Sequence, residues 1–229
     1  MTAPIIGLLD SGLADPAIAA AACRITLDGD GRAVIAPAGR DRLGHGTALA
    51  AEILGRAPAI RLLSAQVFDD RAATSARALA AGLSWLLAEG ARVINISVGL
   101  TEDRAVLRQA CQDAAAAGAL LVASVPAIGP VVFPAAYPGV LRVTGDARCA
   151  EDEVALLDGV RAEFGASPRP RGDRPGVAGA SLAAARLSGM LAAFLAAAPR
   201  RGADQAVAHL AAIAHHRGPQ RPPTGGGRP

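Results

Sequence analysis

Apolar residues follow two patterns along this chain. Short unbroken runs, "PIIGLLD" (4–10), "AIRLLSAQVF" (59–68), "ARVINISVG" (91–99) and "ALLVASV" (119–125), suit strands buried on both faces. "VLRVTGD" (140–146) and "EVALLD" (153–158) are further strand candidates. Between them apolar residues recur at helical spacing: "GHGTALAAEILG" (44–55), then 74–89, 102–117, 181–198 and 202–215. Strands alternating with helices predict an α/β fold, a mainly parallel sheet with helices on both faces in three layers. "DGDGR" (28–32) reads as a turn between strands, and "SGMLAAFLAAA" as a core helix about half the length of a membrane span. We find no internal repeat. One domain is expected over residues 1–216, followed by a proline-, glycine- and arginine-rich tail, 217–229, that has nothing to bury.

The 229 residues suffice for one domain with a sizeable core, and 52% of them are hydrophobic, which excludes a disordered chain. Aromatics at 3% argue against a stacking platform for single-stranded nucleic acid. The net charge of +3 is scattered; basic residues gather only at Arg169–Arg174 and from Arg217 on, as solvated loops rather than a nucleic-acid surface. Cys23, Cys111 and Cys149 cannot all pair and lack metal-ligand spacing, so a reducing compartment is expected, with Cys111 and Cys149 as packing residues. "MTAPIIGLLDSG" carries no charged n-region or cleavage site, and the expectation is a cytoplasmic protein without membrane, nucleic-acid, metal or cofactor dependence. His215 and His216 are expected to end the last helix, at the negative end of its dipole.

In doubly covered sheets, functional groups collect where strands end and the next helices begin. Asp10 falls at the first kind of position, His45 and Ser181 at the second. Each alone has an ordinary explanation: a turn aspartate, a helix-start histidine, an N-cap serine. Together they supply an acid that orients an imidazole, a base that takes a hydroxyl proton, and a nucleophile at the positive end of a helix.

"DSG" after an apolar strand, "GHGTALAAEILG" and "GASLAAARLSG" resemble the three signature segments of subtilisin-like serine peptidases, in that family's Asp, His, Ser order. "VINISVG" resembles its substrate-binding strand, and "FPAAYPGVLRVTG" the segment where a proline is commonly cis, which makes Phe133–Pro134 a candidate cis bond. The resemblance implies the three-layer subtilisin-like fold, with Asp10 orienting, His45 as general base and acid, and Ser181 as nucleophile. It also implies a peptide or protein substrate bound as an added strand along Ser97, Val98 and Gly99. Its pocket would be walled by those residues, by Ser124, Val125, Pro126 and Ala127, and by the stretch before Phe133.

The chain departs from the family's pattern at the oxyanion position. "ASVPAIG" puts Ala127 where the family has asparagine and Pro126 where it has glycine, and Ala180 precedes the serine in place of threonine. Losing one such donor typically costs roughly a hundred- to a thousandfold in rate. Three readings stay open: a slow, selective peptidase relying on the Ser181 backbone N–H and the helix dipole; a catalytically inactive module that holds an extended peptide; and an acyl-transfer ligase or cyclase. Leu100 in place of a second glycine, and Val132 in place of a small residue, point to a narrow pocket that takes Gly, Ala or Ser. Small subtilases of this kind resemble peptidases that remove leader segments from modified peptides, among them the one that matures the cross-linked subunit of quinohemoprotein amine dehydrogenase. Such a protein would work with other maturation proteins.

Overall fold

The computed structural model describes residues 3–68, 73–171, 177–198 and 200–220. Its strands are β1 (Ile5–Asp10), β2 (Ala21–Leu27), β3 (Ala33–Pro37), β4 (Arg61–Gln66), β5 (Val93–Ile96), β6 (Leu120–Ser124), β7 (Val140–Gly145), β8 (Val154–Leu156), β9 (Phe164–Ala166) and β10 (His216–Arg217). Its helices are α1 (His45–Arg56), α2 (Ala76–Ala88), α3 (Ala105–Ala116), α4 (Ala180–Ala197) and α5 (Ala203–Ala212). The strands form one sheet in the order β10-β8-β9-β7-β6-β5-β1-β4-β2-β3. Neighbours are parallel except in the hairpins β2–β3 and β8–β9.

The unbroken apolar runs are explained by two cores, one on each face of the sheet. Along β6, Leu120 and Val122 enter the core beneath α1, α4 and α5, while Leu121 and Ala123 enter the one beneath α2 and α3. The same alternation in β1 sends Ile6 and Leu8 to the first core and Leu9 to the second. Each strand that carries the sheet's centre therefore has no face left for a polar residue, apart from those that reach a partner.

Three differences from the sequence-based expectations have physical reasons. The strands β2 and β3 fill a stretch with no predicted element; β3 is an exposed edge strand, with Ile35 59% exposed, so burial never patterned it. The "DGDGR" segment is the turn between them, as expected, closed on the Asp28 carboxylate, which accepts the N–H groups of Asp30 and Arg32. The last helix ends at Ala212, not 215, because the chain turns back to the sheet: the His215 N–H donates to the Val154 carbonyl, and His216–Arg217 pairs with β8. The two histidines are therefore not at a helix terminus, and the paired backbone continues to Gly218, past the start of the expected tail; residues 221–229 lie outside the described ones. Helix α4 falls within one residue of the expected 181–198; its 18 residues have a mean hydropathy of 1.5, enough by length and composition to cross a bilayer, and 61% of that window is buried inside the protein.

Candidate active site

Strands β1 and β5 are neighbours, and their carboxyl ends place Asp10 and the Ser97 that follows β5 at the same edge of the sheet. Asp10 is fully buried. Its Oδ1 accepts the N–H of Ser11 at 2.8 Å and the Nδ1–H of His45 at 2.7 Å. Oδ2 has no partner among the described residues. His45 opens α1, with its side chain 29% exposed, so one side of the ring is clamped and the other is reachable.

The start of α1 is held by a residue that sequence reasoning passed over. Asp41 Oδ1 accepts the N–H groups of Leu43 and Gly44, and Oδ2 accepts the N–H and hydroxyl of Thr47, the latter at 2.7 Å. Through Thr47 it serves one of the free N–H groups of the first turn that the cap residue, Gly44, has no side chain to satisfy, and the Ser11 hydroxyl accepts another, that of Gly46. Burial pushes the Asp41 carboxyl upward, but the hydrogen bonds from Thr47, Ser11 and Gly44 together outweigh it and hold the group below the ordinary range. Burial likewise depresses His45, and the Asp10 hydrogen bond and charge, with Asp41 beyond, outweigh it and raise the imidazole.

Ser181 stands in the first turn of α4, half-buried. The turn before it is built on Gly179, whose φ of 88° and ψ of −153° only glycine adopts without strain. The Gly179 N–H donates to the Pro168 carbonyl at 2.8 Å. From the sheet side, the Ser97 hydroxyl lies 3.4 Å from the Ser181 carbonyl and 3.1 Å from Asn95 Oδ1. Asn95, itself fully buried, donates to the Ser188 hydroxyl at 3.0 Å. These bonds fasten α4 to β5 at two levels.

Helices α1 and α4 run in the same direction. Glu52 meets Arg186, and one step further along both helices Ile53 and Arg56 meet Gly189. A Cβ on Gly189 would sit 3.1 Å from the Ile53 carbonyl, so this contact is backbone to backbone. With the helices in step, both amino termini lie at the sheet edge that holds Asp10. The structure thus bonds two of the three expected groups and sets the third at the neighbouring helix start. Among the described residues, no hydrogen bond joins the Ser181 hydroxyl to His45.

The remaining site residues divide by burial. Val125 is fully buried and Val98 is 8% exposed, and both pack in the core under α2 and α3, so their side chains wall no pocket; only their backbones can face a peptide. Ser97 is 8% exposed and its hydroxyl is already engaged. Gly99, Pro126 and Ala127 are exposed, and Ser124 is half-buried. The Phe133–Pro134 bond is cis, as expected. Leu100 and Phe133 exchange two backbone hydrogen bonds, 2.8 and 2.9 Å, and these bring Val132 over Gly99: a Cβ there would lie 2.5 Å from Val132 Cγ2. Near the oxyanion position Ala127 carries no polar side chain, and the Arg161 guanidinium donates to the Pro126 carbonyl beside it at 3.1 Å. The three cysteines are free and buried, their thiols pushed up to about 12 by burial. Among the described residues, no three His, Cys, Asp or Glu side chains gather to hold a metal ion.

A mainly parallel three-layer sheet with a buried Asp–His pair at its carboxyl edge and a serine at the adjoining helix start defines a class, the subtilisin-like α/β proteins. The chain belongs to the subtilase family, whose model matches residues 2–223. It is similar to the thermostable alkaline protease of Halalkalibacterium halodurans, 32% identical over 152 residues, or 60% of this chain and 40% of that one. It is also similar to subtilisin Savinase of Lederbergia lenta, 32% identical over 118 residues, or 47% and 44% of the two chains. This chain spans less than half the length of these curated relatives. Among solved structures, a lanthipeptide protease superposes with a TM-score of 0.64 at 18% identity, covering 90% of this chain and 78% of that one. The protease domain of PatA does so at 0.63 and 24% identity, covering 86% and 81%.

Proposed function

We propose that this protein is a selective serine endopeptidase acting on one peptide or protein substrate, in the manner of a maturation enzyme that removes a leader or propeptide. One observation carries the reading: a fully buried Asp10 carboxylate bonded to His45 Nδ1 at 2.7 Å, on a helix that runs in step with the one Ser181 opens. With Nδ1–H given to Asp10, Nε2 is left unprotonated and can take the Ser181 proton as the hydroxyl attacks the acyl carbon. Asp10 then stabilises the imidazolium, which returns the proton to the leaving amine. Water repeats the sequence to release the acyl group.

The oxyanion is met by the Ser181 backbone N–H and the amino-terminal dipole of α4, because Ala127 and Ala180 offer no side-chain donor. That set supports slow turnover, which suffices when each substrate molecule is cut once. The substrate joins as an added strand along Ser97–Gly99, where backbone bonds give affinity and the pocket gives choice. Val132 lying on Gly99 supports a small residue, Gly, Ala or Ser, on the acyl side of the cut. Cytoplasmic residence and a complex with other maturation proteins complete the proposal. The leader of a cross-linked subunit is the type of substrate it describes.

A peptide library read by mass spectrometry tests this. Cuts after Gly, Ala or Ser, each adding one water, are expected; a preference for large aromatic or basic residues there overturns the narrow pocket. Joined or cyclised products without added water would mean acyl transfer. A second reading, a peptide-binding module without turnover, is favoured by the lack, among the described residues, of a hydrogen bond from the Ser181 hydroxyl to His45, and by Ala127 and Ala180 offering no side-chain donor. It predicts retention of an intact peptide by the wild-type protein.

A further inference from the structure

Helix α4 is apolar apart from Ser181, Ser188 and one charged residue, Arg186. Arg186 is fully buried, as few arginines are. Its Nε donates to Glu52 Oε1 at 3.0 Å and its Nη1 to the Ser167 carbonyl at 2.8 Å. Glu52, 7% exposed, lies on α1 about two turns beyond His45. The same Oε1 accepts Arg56 Nε at 3.0 Å, and Arg171 Nε lies 3.6 Å away. Arg56 goes on to the Asp152 carboxylate and the Glu151 carbonyl.

Both halves of the proposed chemistry hang from this one guanidinium. Through Glu52 it reaches α1 and hence His45. Through Ser167 it reaches the residue next to Pro168, whose carbonyl receives the Gly179 N–H just ahead of Ser181. A buried ion pair is a poor way to gain stability, since an apolar pair of similar volume commonly does as well or better. What the arginine adds is direction: a planar fork with fixed donor angles locks one helix against the other, where an apolar contact can slide. The sheet-side bonds hold the start of each helix, and among the described residues the Arg186–Glu52 bond is the side-chain hydrogen bond that joins α1 directly to α4, beside their close backbone approach at Gly189.

We infer that the Arg186–Glu52 pair is a positioning device: it sets the register of α1 against α4, and thereby the separation of the His45 imidazole from the Ser181 hydroxyl. Neither residue touches substrate. The inference rests on the peptidase reading for its catalytic consequence, but not for its geometric one.

The test is the double variant Glu52→Leu/Arg186→Met, which removes both charges together and leaves Arg56 and Arg171 with Asp152 and Glu151. Its melting temperature is expected at or above that of the wild type. Its kcat, normalised to titrated reactive serine, is expected to fall roughly tenfold to a hundredfold with KM within about twofold, the cost of misplacing reacting groups by ~1 Å. Arg186→Lys, which keeps the charge without the fork, should fall between the two, and carries the test if the double variant does not fold. A wild-type kcat per reactive serine in the variants overturns the inference; so does a loss confined to KM. Crystal structures of wild type and variant separate this from failure of the peptidase reading. The distance from His45 Nε2 to Ser181 Oγ is expected to change by ~1 Å, and an unchanged distance overturns the positioning role whether or not the protein cuts peptides.

Discussion

At the scale of single residues, the site is an electrostatic arrangement around one imidazole. Asp10 and Asp41 together raise His45 above its ordinary 6.5, against the pull of burial. Catalysis needs the neutral ring, so kcat/KM should rise as pH climbs through that raised value. Asp41→Asn removes one of the two negative charges and should move this acid limb to lower pH; a limb that stays or moves up contradicts the assignment. Stability runs the other way. The raised His45 contributes stability that is fully present below 6.5 and is lost as pH rises through the folded-state value. Asp41, held low, contributes above 3.8 and loses its contribution as pH falls through its folded-state value. Ala127 offers a gain-of-function test. Ala127→Asn restores a side-chain donor beside the oxyanion and should raise kcat about tenfold to a hundredfold with KM little changed. Val132→Gly, by uncovering Gly99, should admit larger side chains at the acyl side of the cut in the same peptide library.

At the scale of elements, the site is only as good as the contact between α1 and α4. Gly189 lets the helices meet at the backbone, and Gly189→Val would drive a side chain into Ile53 and Arg56. Overpacking of this kind typically costs about 1–3 kcal/mol. The expected result is a lower denaturant midpoint, with activity per titrated site falling as well, because the same displacement separates the two helix starts. This part of the design could not be read from the sequence. "DSG", "GHGT" and "GASL" are local strings, and their residue types announce their chemistry. Glu52 and Arg186 are separated by 134 residues, and nothing in their neighbours signals that they meet. Asp41 was hidden for a different reason: it caps a helix whose cap position is a glycine, so the usual side-chain signal is displaced along the chain.

At the scale of the whole molecule, legibility followed burial. The central strands β1, β5 and β6 are buried on both faces and stood out as apolar runs of strand length. The edge strand β3 is exposed, β10 is two residues long, and β9, "FGA", is three residues without the flanking apolar run that marked β8. The order of strands in the sheet places Asp10 and Ser97 side by side although 86 residues of chain, with two helices, intervene. Evenly scattered charge and an alanine-rich interior describe the scaffold and are silent on the substrate. Gly99, Pro126 and Ala127 are exposed, and under the proposed function they are where a bound peptide would be read.

The central claim is that an acid, an imidazole and a hydroxyl from distant parts of the chain act as one unit on an acyl carbon. Covalent labelling with a fluorophosphonate tests it most directly, because the reagent reports the activated serine whatever the natural substrate is. The account predicts a single adduct on Ser181 in the wild type, absent in Ser181→Ala and slowed by orders of magnitude in His45→Ala. No adduct on the wild-type protein, or an adduct that forms at the same rate without His45, would contradict it.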